Sequence, residues 1–476
     1  MKARIFALMV IVAMLFSAFG FDNARAGAYA TQFTTSVTYM NVGTATTTTL
    51  KLYFYATPDD TTPTSHTLAP LAVNAAGSVF MGNLDDLIVA DGFQGSAYLE
   101  SDQMMQVTLV QIPQNSTDVK NRALSNGFIT GGPTALIATV LKNTFDYNTI
   151  FSVQNADTVL NNVTIDFVNT SAAIVHSITT PIAPGAAYYV DMGLLGALAT
   201  FNGSVVISAE RADTTAGKVV ASSMELGLTG TGVYSFEGVE AGASQLFMPS
   251  ALCAKYNASS SYAVQNTSLT TATSVTVTYT MDTGTFSQTL PIGPGAKASF
   301  IACNAAPTGS IGAAVVTSTA TPVVAIGKVY GGGFSTAFMG VSMGSEVMGL
   351  PYVRWATDAN YNAGLGQRTF ITIQNVGAPL VETQEVDIMY YDYAGTLVGT
   401  HTYIVPAGGL ATGAKFNSNA SLAGLTEFGY YGSIYGGAAI ISGPAGSELA
   451  AVARVQTYVV ATGLFVGEDF NSQPIR

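Results

Sequence analysis

Residues Val153-Gln154-Asn155, followed by the run Val163-Thr164-Ile165-Asp166-Phe167, carry the pattern from which the fold is predicted. A strand-like segment ends in Asn, and the next run alternates apolar and polar side chains as a half-buried β-strand does. The same succession occurs four times, at intervals of about 110 residues. The Asn residues that mark it are Asn41, Asn155, Asn266 and Asn375. The chain therefore consists of four similar modules.

Each repeat contains further strand-like segments separated by turns rich in Gly, Asn and Asp, about seven strands in all. Short strands at this spacing are typical of a two-sheet sandwich. We predict an all-β chain of about four tandem antiparallel, immunoglobulin-like β-sandwich modules in a semi-rigid row. The predicted modules span residues 27–121, 122–232, 233–333 and 334–460, and a C-terminal tail spans 461–476.

Residues 1–26 have the features of an export signal. Lys2 and Arg4 precede an apolar run, and Ala24-Arg25-Ala26 offers a small-x-small cleavage site. We expect this segment to be removed, which would make the protein secreted, either extracellular or at the cell surface. An uncleaved N-terminal anchor is the alternative. No later segment reaches the ~20 apolar residues that a membrane helix requires, so no membrane span is expected after removal.

The charge balance limits the class of partner. The chain has 17 basic and 29 acidic residues, a net charge of −12, so it lacks the basic surface that binds nucleic acid. Only 10% of its residues are charged, and solubility must depend on neutral polar groups. The expected partners are a cell-surface polymer, a glycan or another protein, including a second copy of the chain.

Cys253 and Cys303 are the two cysteines, and both lie in the third repeat. An exported protein meets oxidising conditions, so we predict a disulfide between them. Two separate buried thiols are the alternative. A metal site is disfavoured because neither cysteine has histidine partners at ligand spacing.

The connectors between repeats carry a resemblance to a known family. Gly-Val and Leu-Pro or Met-Pro steps precede Tyr-Asn pairs, which occur at Tyr147-Asn148, Tyr256-Asn257 and Tyr361-Asn362. With the Gln-Asn steps and Pro-Gly corners, this succession resembles the immunoglobulin-like or fibronectin-type repeats of secreted bacterial surface proteins. The resemblance implies a structural, adhesive or binding role and transfers no catalytic residue. The Trp-Cys-Cys core of antibody domains is absent.

The histidines do not indicate a catalytic site. His66, His176 and His401 all occupy the return strand of their repeats, and Phe286 takes that place in the third repeat. A position that accepts either His or Phe is a scaffold position, so we predict a protein that is not an enzyme. The repeated Asn is predicted to cap a strand end through backbone hydrogen bonds.

Acidic turns are the only candidate metal ligands. Asp59-Asp60, Asp85-Asp86 and Asp282 could contribute oxygens to Ca²⁺, which takes six to eight of them. Solvated surface carboxylates are the preferred interpretation, and Ca²⁺ at a module joint is the alternative. No other cofactor is expected.

Sequence features that do not repeat are the best candidates for a binding site. Tyr430, Tyr431 and Tyr435 form a polar aromatic insertion in the fourth repeat, and Trp355 is the single tryptophan. We therefore predict a non-enzymatic, exported structural or adhesive protein. The alternatives are an array of carbohydrate- or protein-binding modules, with these aromatic residues as the binding patch, and a self-assembling fibre subunit that exchanges a terminal strand.

Overall fold

A computed structural model of the chain describes residues 27–116, 118–356, 366–431, 434–459 and 464–475. Within these ranges every pairing between strands is antiparallel and no α-helix occurs. The predicted export signal lies outside the described residues. Short 3₁₀ helices are found at Ala28–Ala30, Met81–Asn83, Ala302–Asn304 and Ala420–Ala423. The predicted all-β architecture is confirmed.

The first two modules each form two facing sheets. Module 1 contains β1 (Phe33–Asn41), β2 (Leu50–Tyr55), β3 (Thr64–Thr67), β4 (Ala76–Phe80), β5 (Ser96–Ser101), β6 (Met105–Pro113) and β7 (Ala123–Asn126). Its sheets have the orders β4-β1-β6-β7 and β3-β2-β5. Module 2 contains β8 (Thr134–Lys142), β9 (Tyr147–Asn155), β10 (Asn161–Asn169), β11 (Ile174–Ile182), β12 (Ala187–Asp191), β13 (Phe201–Arg211), β14 (Val219–Gly227) and β15 (Val233–Glu237). Its sheets have the orders β11-β10-β13-β8 and β12-β9-β14-β15.

Module 3 repeats the order of module 2, with sheets β16-β21-β18-β19 and β20-β17-β22-β23. Its strands are β16 (Gln245–Cys253), β17 (Ser259–Asn266), β18 (Thr273–Met281), β19 (Gly284–Ile292), β20 (Lys297–Ile301), β21 (Ser310–Ser318), β22 (Val323–Gly331) and β23 (Phe334–Met339).

Module 4 is the most elaborate. Its strands are β24 (Val347–Leu350), β25 (Trp355–Ala356), β26 (Gln367–Asn375), β27 (Glu385–Asp392), β28 (Leu397–Ile404), β29 (Lys415–Ser418), β30 (Tyr430–Tyr431), β31 (Ile434–Tyr435), β32 (Gly437–Ser442), β33 (Leu449–Val459), β34 (Leu464–Asn471) and β35 (Gln473–Pro474). Two five-stranded sheets face each other: β28-β27-β32-β24-β35, and β25-β26-β33-β34 with β29 also paired to β26. The pair β30-β31 is an addition that the other modules lack in the described residues.

Alternation along the strands builds each core. On β10, Val163, Ile165 and Phe167 are fully buried, and they pack against Phe151 and Val153 of the opposite sheet. Successive side chains of a strand point to opposite faces, so this spacing fixes which face is apolar. Full burial of one such side chain contributes about 2 kcal/mol. The predicted tandem β-sandwich modules are confirmed.

The strand that follows each predicted module boundary completes the preceding module. β7 pairs with β6, β15 with β14, β23 with β22, and β34 with β33. The boundaries expected at residues 121, 232, 333 and 460 thus fall just before a strand that belongs to the earlier sheet. The predicted tail 461–476 holds β34 and β35, which pair with β33 and β24 of their own chain.

These four completing strands meet at the centre of the molecule. Asn126, Glu237, Met339 and Asn471 occupy the same register position on β7, β15, β23 and β34. The Asn126 backbone N–H donates to the Glu237 carboxylate, and Asn126 Nδ2 donates to the carbonyl of Asn471 at 2.8 Å. Asn471 Nδ2 in turn donates to the carbonyl of Met339 at 2.9 Å. Near the start of the same strands, Val233 N–H donates to Ser335 Oγ at 2.9 Å.

The modules therefore close into a ring, which differs from the expected semi-rigid row. Module 1 contacts module 4 as well as module 2: Gln106 Nε2 donates to the carbonyl of Gln473 at 2.7 Å. Met40 of module 1 packs with Ala438 and Ile440 of module 4 in one buried apolar cluster. In an open row this apolar surface would be exposed to water, and its burial favours closure.

The predicted disulfide between Cys253 and Cys303 is present. It joins the end of β16 to the 3₁₀ helix Ala302–Asn304, with the two Cα atoms 4.9 Å apart. Among the described residues no helix is long and apolar enough to cross a membrane.

Candidate functional site

The repeated Asn is a structural clamp. All four copies are fully buried. In module 2, Asn155 Nδ2 donates to the carbonyls of Val159 and Ile182, both at 2.8 Å, and its Oδ1 accepts from the Asp157 backbone N–H at 2.8 Å. The other three copies make the equivalent bonds to their own loops and corners. The predicted capping role is confirmed.

The histidines lie on the strands β3, β11 and β28, each at a sheet edge. His66 and His401 share one register position, opposite Leu52 and Ile388. His176 lies two pairs further along, opposite Phe167, where module 3 has Phe286. His401 Nδ1 lies 2.9 Å from Ser418 Oγ, and burial lowers the pKa of its imidazole. That none of them is catalytic stays a prediction.

The carboxylates of the acidic turns bind groups of their own modules. Asp60 accepts hydrogen bonds from the backbone N–H groups of Ala56 and Thr62, and Asp282 accepts from Ile311 N–H and pairs with Lys255 at 3.4 Å. Asp85 accepts from Leu87 N–H, and Asp86 beside it is exposed. In the described ranges no three His, Cys, Asp or Glu side chains are grouped closely enough to hold a metal ion. Calcium at a module joint has no support from this geometry.

Only some residues of the predicted aromatic patch reach the surface. Trp355 is 9% exposed and packs edge-on to Phe370, with its backbone bonded in both directions to Phe428. Tyr430 and Tyr431 lie two and three residues beyond Phe428, and both are half-buried. Trp355 is therefore paired with the segment that leads to the two tyrosines, but its side chain is buried in the module 4 core.

Tyr431 contacts a second aromatic ring and has charged groups near its hydroxyl. Its ring centroid lies 5.2 Å from that of Tyr393. Burial and the Asp392 carboxylate raise the pKa of the Tyr431 hydroxyl, whereas the Arg354 guanidinium lowers it. Backbone pairing places Tyr435 opposite Tyr430, and the Tyr435 side chain lies outside the described residues. Together Tyr393, Tyr430 and Tyr431 form what we call the module 4 patch.

Two hairpin tips expose aromatic side chains that do not contribute to any core. Phe145, at the tip between β8 and β9, is 73% exposed, and Tyr256, at the tip between β16 and β17, is also 73% exposed. Both have left-handed backbone, with φ of 54° and 55°, as do Asp146 and Asn257 after them. This is the two-residue turn that Gly and Asn normally occupy. The turns are closed by the pairs Thr144–Tyr147 and Lys255–Ala258.

The two hairpin tips lie on one side of the ring. Tyr147 pairs with Gly227, just before β15, and Ser259 pairs with Tyr330, just before β23. Since Val233 N–H bonds to Ser335 near the start of both central strands, those strands start on the same side. The turns that carry Phe145 and Tyr256 therefore lie on the same side of the ring.

Neither tip is loosely held. The Asp146 carboxylate accepts hydrogen bonds from Thr229 Oγ1 at 2.6 Å and from Gly230 N–H at 3.2 Å, which fixes the tip to the next hairpin. Lys255 Nζ lies 5.9 Å from the centroid of the Tyr256 ring. The aromatic side chains are thus presented on supported turns.

The Tyr-Asn pattern of the sequence predicts that Tyr147-Asn148 is equivalent to Tyr256-Asn257. This prediction is wrong, because the turn equivalent to Tyr256-Asn257 is Phe145-Asp146. Tyr361-Asn362, the third expected copy, lies outside the described residues. In the sequence, these turns are indicated by an Asp or Asn that follows an aromatic residue between two strands, because Asp and Asn tolerate left-handed backbone.

Comparison with protein-family models gave no match to this chain, and comparison with the sequences of curated proteins gave none either. The geometry of the chain is therefore the basis on which a function can be proposed.

Proposed function

We propose that this chain is a non-enzymatic, exported adhesive protein in which the ring holds exposed aromatic side chains against a surface. The observation that carries the proposal is the pair Phe145 and Tyr256, each 73% exposed on a left-handed turn residue. The proposed place of action is the extracellular space or the cell surface. The disulfide and the predicted export signal support it.

Backbone energetics argue against a purely structural role for these two residues. A residue with a Cβ costs roughly 1–2 kcal/mol in left-handed backbone, and Asn reduces that cost because of its local hydrogen bonds. Strain at an exposed position that gains no packing is a reason to infer function. Apolar rings fixed on one face would bind an apolar or sugar-covered surface by removing their area from water.

The double variant Phe145→Asn, Tyr256→Asn tests this proposal. Its free energy of unfolding is expected to rise by about 1 kcal/mol, because Asn suits both turns. Its adsorption to alkyl-coated and polysaccharide-coated beads is expected to fall at least fivefold. Ile404→Thr is the matched control, since Ile404 is 57% exposed on an edge strand away from the tips. Unchanged adsorption of the double variant would contradict the proposal.

A second candidate is recognition of a glycan or protein by the module 4 patch. The tilted rings of Tyr393 and Tyr431, half-buried and next to the added pair β30-β31, favour it. Aromatic faces beside hydroxyl groups are suited to sugar rings. We expect Tyr431→Ala to abolish binding on a glycan array, with Tyr98→Ala, an exposed tyrosine of module 1, as the control. A blank array for the unaltered protein would remove this candidate.

Terminal strand exchange has no comparable support. β34 and β35, which would have to leave the molecule, are paired within their own chain and reach the central strands. The finer family resemblance, to immunoglobulin-like or fibronectin-type repeats of bacterial surface proteins, remains part of the adhesive proposal.

A further inference from the structure

Arg354 is the largest fully buried side chain of the described molecule, with 2% exposure. It lies between β24 and β25 in module 4, and its backbone is fixed on both sides. Arg354 N–H donates to Thr369 Oγ1 at 2.8 Å, and Thr369 N–H donates to the Arg354 carbonyl at 2.8 Å. The position of the side chain is therefore set by the sheet.

Within the described part of the chain, the guanidinium contacts neutral groups. It lies over the ring of Tyr352, 4.4 Å from the centroid, and Nη1 donates to the carbonyls of Val353 at 2.9 Å and Gly437 at 3.4 Å. Nε is buried and has no hydrogen-bond partner among the described residues. The ion pairs found in the described ranges do not include Arg354.

Other arginines of the chain show the contrast. Arg454 is bonded to both oxygens of Asp469, at 2.8 and 2.6 Å, and Arg211 to both oxygens of Asp157, at 2.7 and 3.1 Å. An arginine keeps its proton at any accessible pH. A buried charge without a counter-ion is strongly unfavourable. Arg354 has no ion-pair partner among the described residues, so its positive charge requires compensation.

We propose that Arg354 is a binding site for a small anion, held by the Nε edge of its guanidinium. A carboxylate is the best match, because its two oxygens fit the planar fork of donors. The carboxylate could belong to a free organic acid or to an acidic sugar, and the chemistry at Arg354 is the same for both. This inference goes beyond the adhesive function and does not depend on it.

The surroundings explain how such a site is kept narrow. A Cβ at Gly429 would lie 2.4 Å from the Val353 carbonyl oxygen and 2.9 Å from Arg354 Cδ, and Gly429 has a φ of +83°. Only glycine allows the backbone to approach the arginine this closely. Tyr431, two residues further on, is half-buried and near enough for the guanidinium to lower the pKa of its hydroxyl. The anion would therefore bind beside the module 4 patch.

Thermal unfolding with added sodium acetate, sodium glucuronate or sodium chloride, at constant ionic strength and millimolar concentration, tests the proposal. We expect the midpoint of the unaltered protein to rise by about 2 °C and to saturate with acetate or glucuronate. A response to glucuronate alone identifies an acidic sugar, and a response to both carboxylates identifies a general carboxylate site. The rise should be lost in Arg354→Gln and kept in Arg211→Gln, which removes the same charge from a paired arginine.

A crystal grown in sodium bromide gives a readout that needs no variant. A bromide peak in the anomalous map within hydrogen-bond distance of Arg354 Nε would support the proposal even if Arg354→Gln fails to fold. Two results would overturn it: a midpoint that does not respond to any of the anions together with no peak at Arg354, or an equal response in Arg354→Gln. A blank glycan array alongside a positive anion response would remove the glycan candidate and leave the anion site intact.

Discussion

Replacing Asn155 with alanine is expected to lower the free energy of unfolding by about 4 kcal/mol. The side chain is fully buried and takes part in four hydrogen bonds, two as donor and two as acceptor. Alanine would leave the carbonyls of Val159 and Ile182 without those partners in a site with little access for water. Each unsatisfied buried group costs about 1–3 kcal/mol. Urea denaturation followed by circular dichroism measures the loss.

Asn162→Ala is the matched control for Asn155→Ala. Asn162 lies on β10 of the same module, and it is exposed. Substitution of an exposed side chain without such contacts changes stability by about 0.5 kcal/mol or less. If Asn155→Ala cost no more than Asn162→Ala, the clamp would not be a source of stability.

Stability is expected to pass through a minimum near neutral pH. Burial raises the pKa of Glu237 and of Glu468 from 4.5 to about 7, with Asn126 N–H and Arg122 opposing the rise. Between pH 4.5 and 7 the folded protein keeps protons that the unfolded chain has lost. The free energy of unfolding therefore falls as pH rises, by about 3 kcal/mol for each of the two carboxyl groups.

A buried lysine, Lys297, and a half-buried one, Lys415, produce the opposite slope at higher pH. Burial lowers the pKa of Lys297 from 10.5 to about 7 and that of Lys415 from 10.5 to about 8. Above pH 8 the unfolded chain holds protons that the folded protein lacks, so the free energy of unfolding rises again toward pH 10. Lys297 Nζ donates to Thr139 Oγ1 at 2.7 Å, across the joint between modules 2 and 3.

Urea denaturation at pH 5, 7 and 9 measures both limbs of the profile. Glu237→Gln with Glu468→Gln should flatten the limb between pH 5 and 7, and Lys297→Met should reduce the rise above pH 8. A stability that increases steadily from pH 5 to 7 would contradict the assignment of the raised carboxyl pKa values.

Local patterns in the sequence were sufficient to predict the modules. The spacing of Asn155 and its equivalents, and the alternation along runs such as Val163–Phe167, depend on neighbours within one module. The same applies to the Cys253–Cys303 disulfide, whose partners both lie in module 3. Each of these features repeats along the chain or joins residues of one module, so it can be recognised from the sequence alone.

The arrangement of the modules could not be predicted in the same way. The bond between Gln106 and Gln473 joins residues 367 positions apart, and no periodic pattern relates them. Trp355 illustrates a second limit: its rarity suggested a surface site, but pairing with Phe428 buries it. Arg354 shows a third, because the absence of an ion-pair partner among the described residues can be seen only once its neighbours are known.

In the ring each module has a joint with two neighbours, whereas the two end modules of an open row would each have only one joint. If the joint between modules 1 and 4 opened, the bond from Gln106 to Gln473 and the Met40–Ile440 packing would be lost. Module 1 would still be held to module 2, for example by Tyr189 OH donating to the Gly95 carbonyl at 2.6 Å. Opening of any single joint would leave an open arc in which all four modules are still attached.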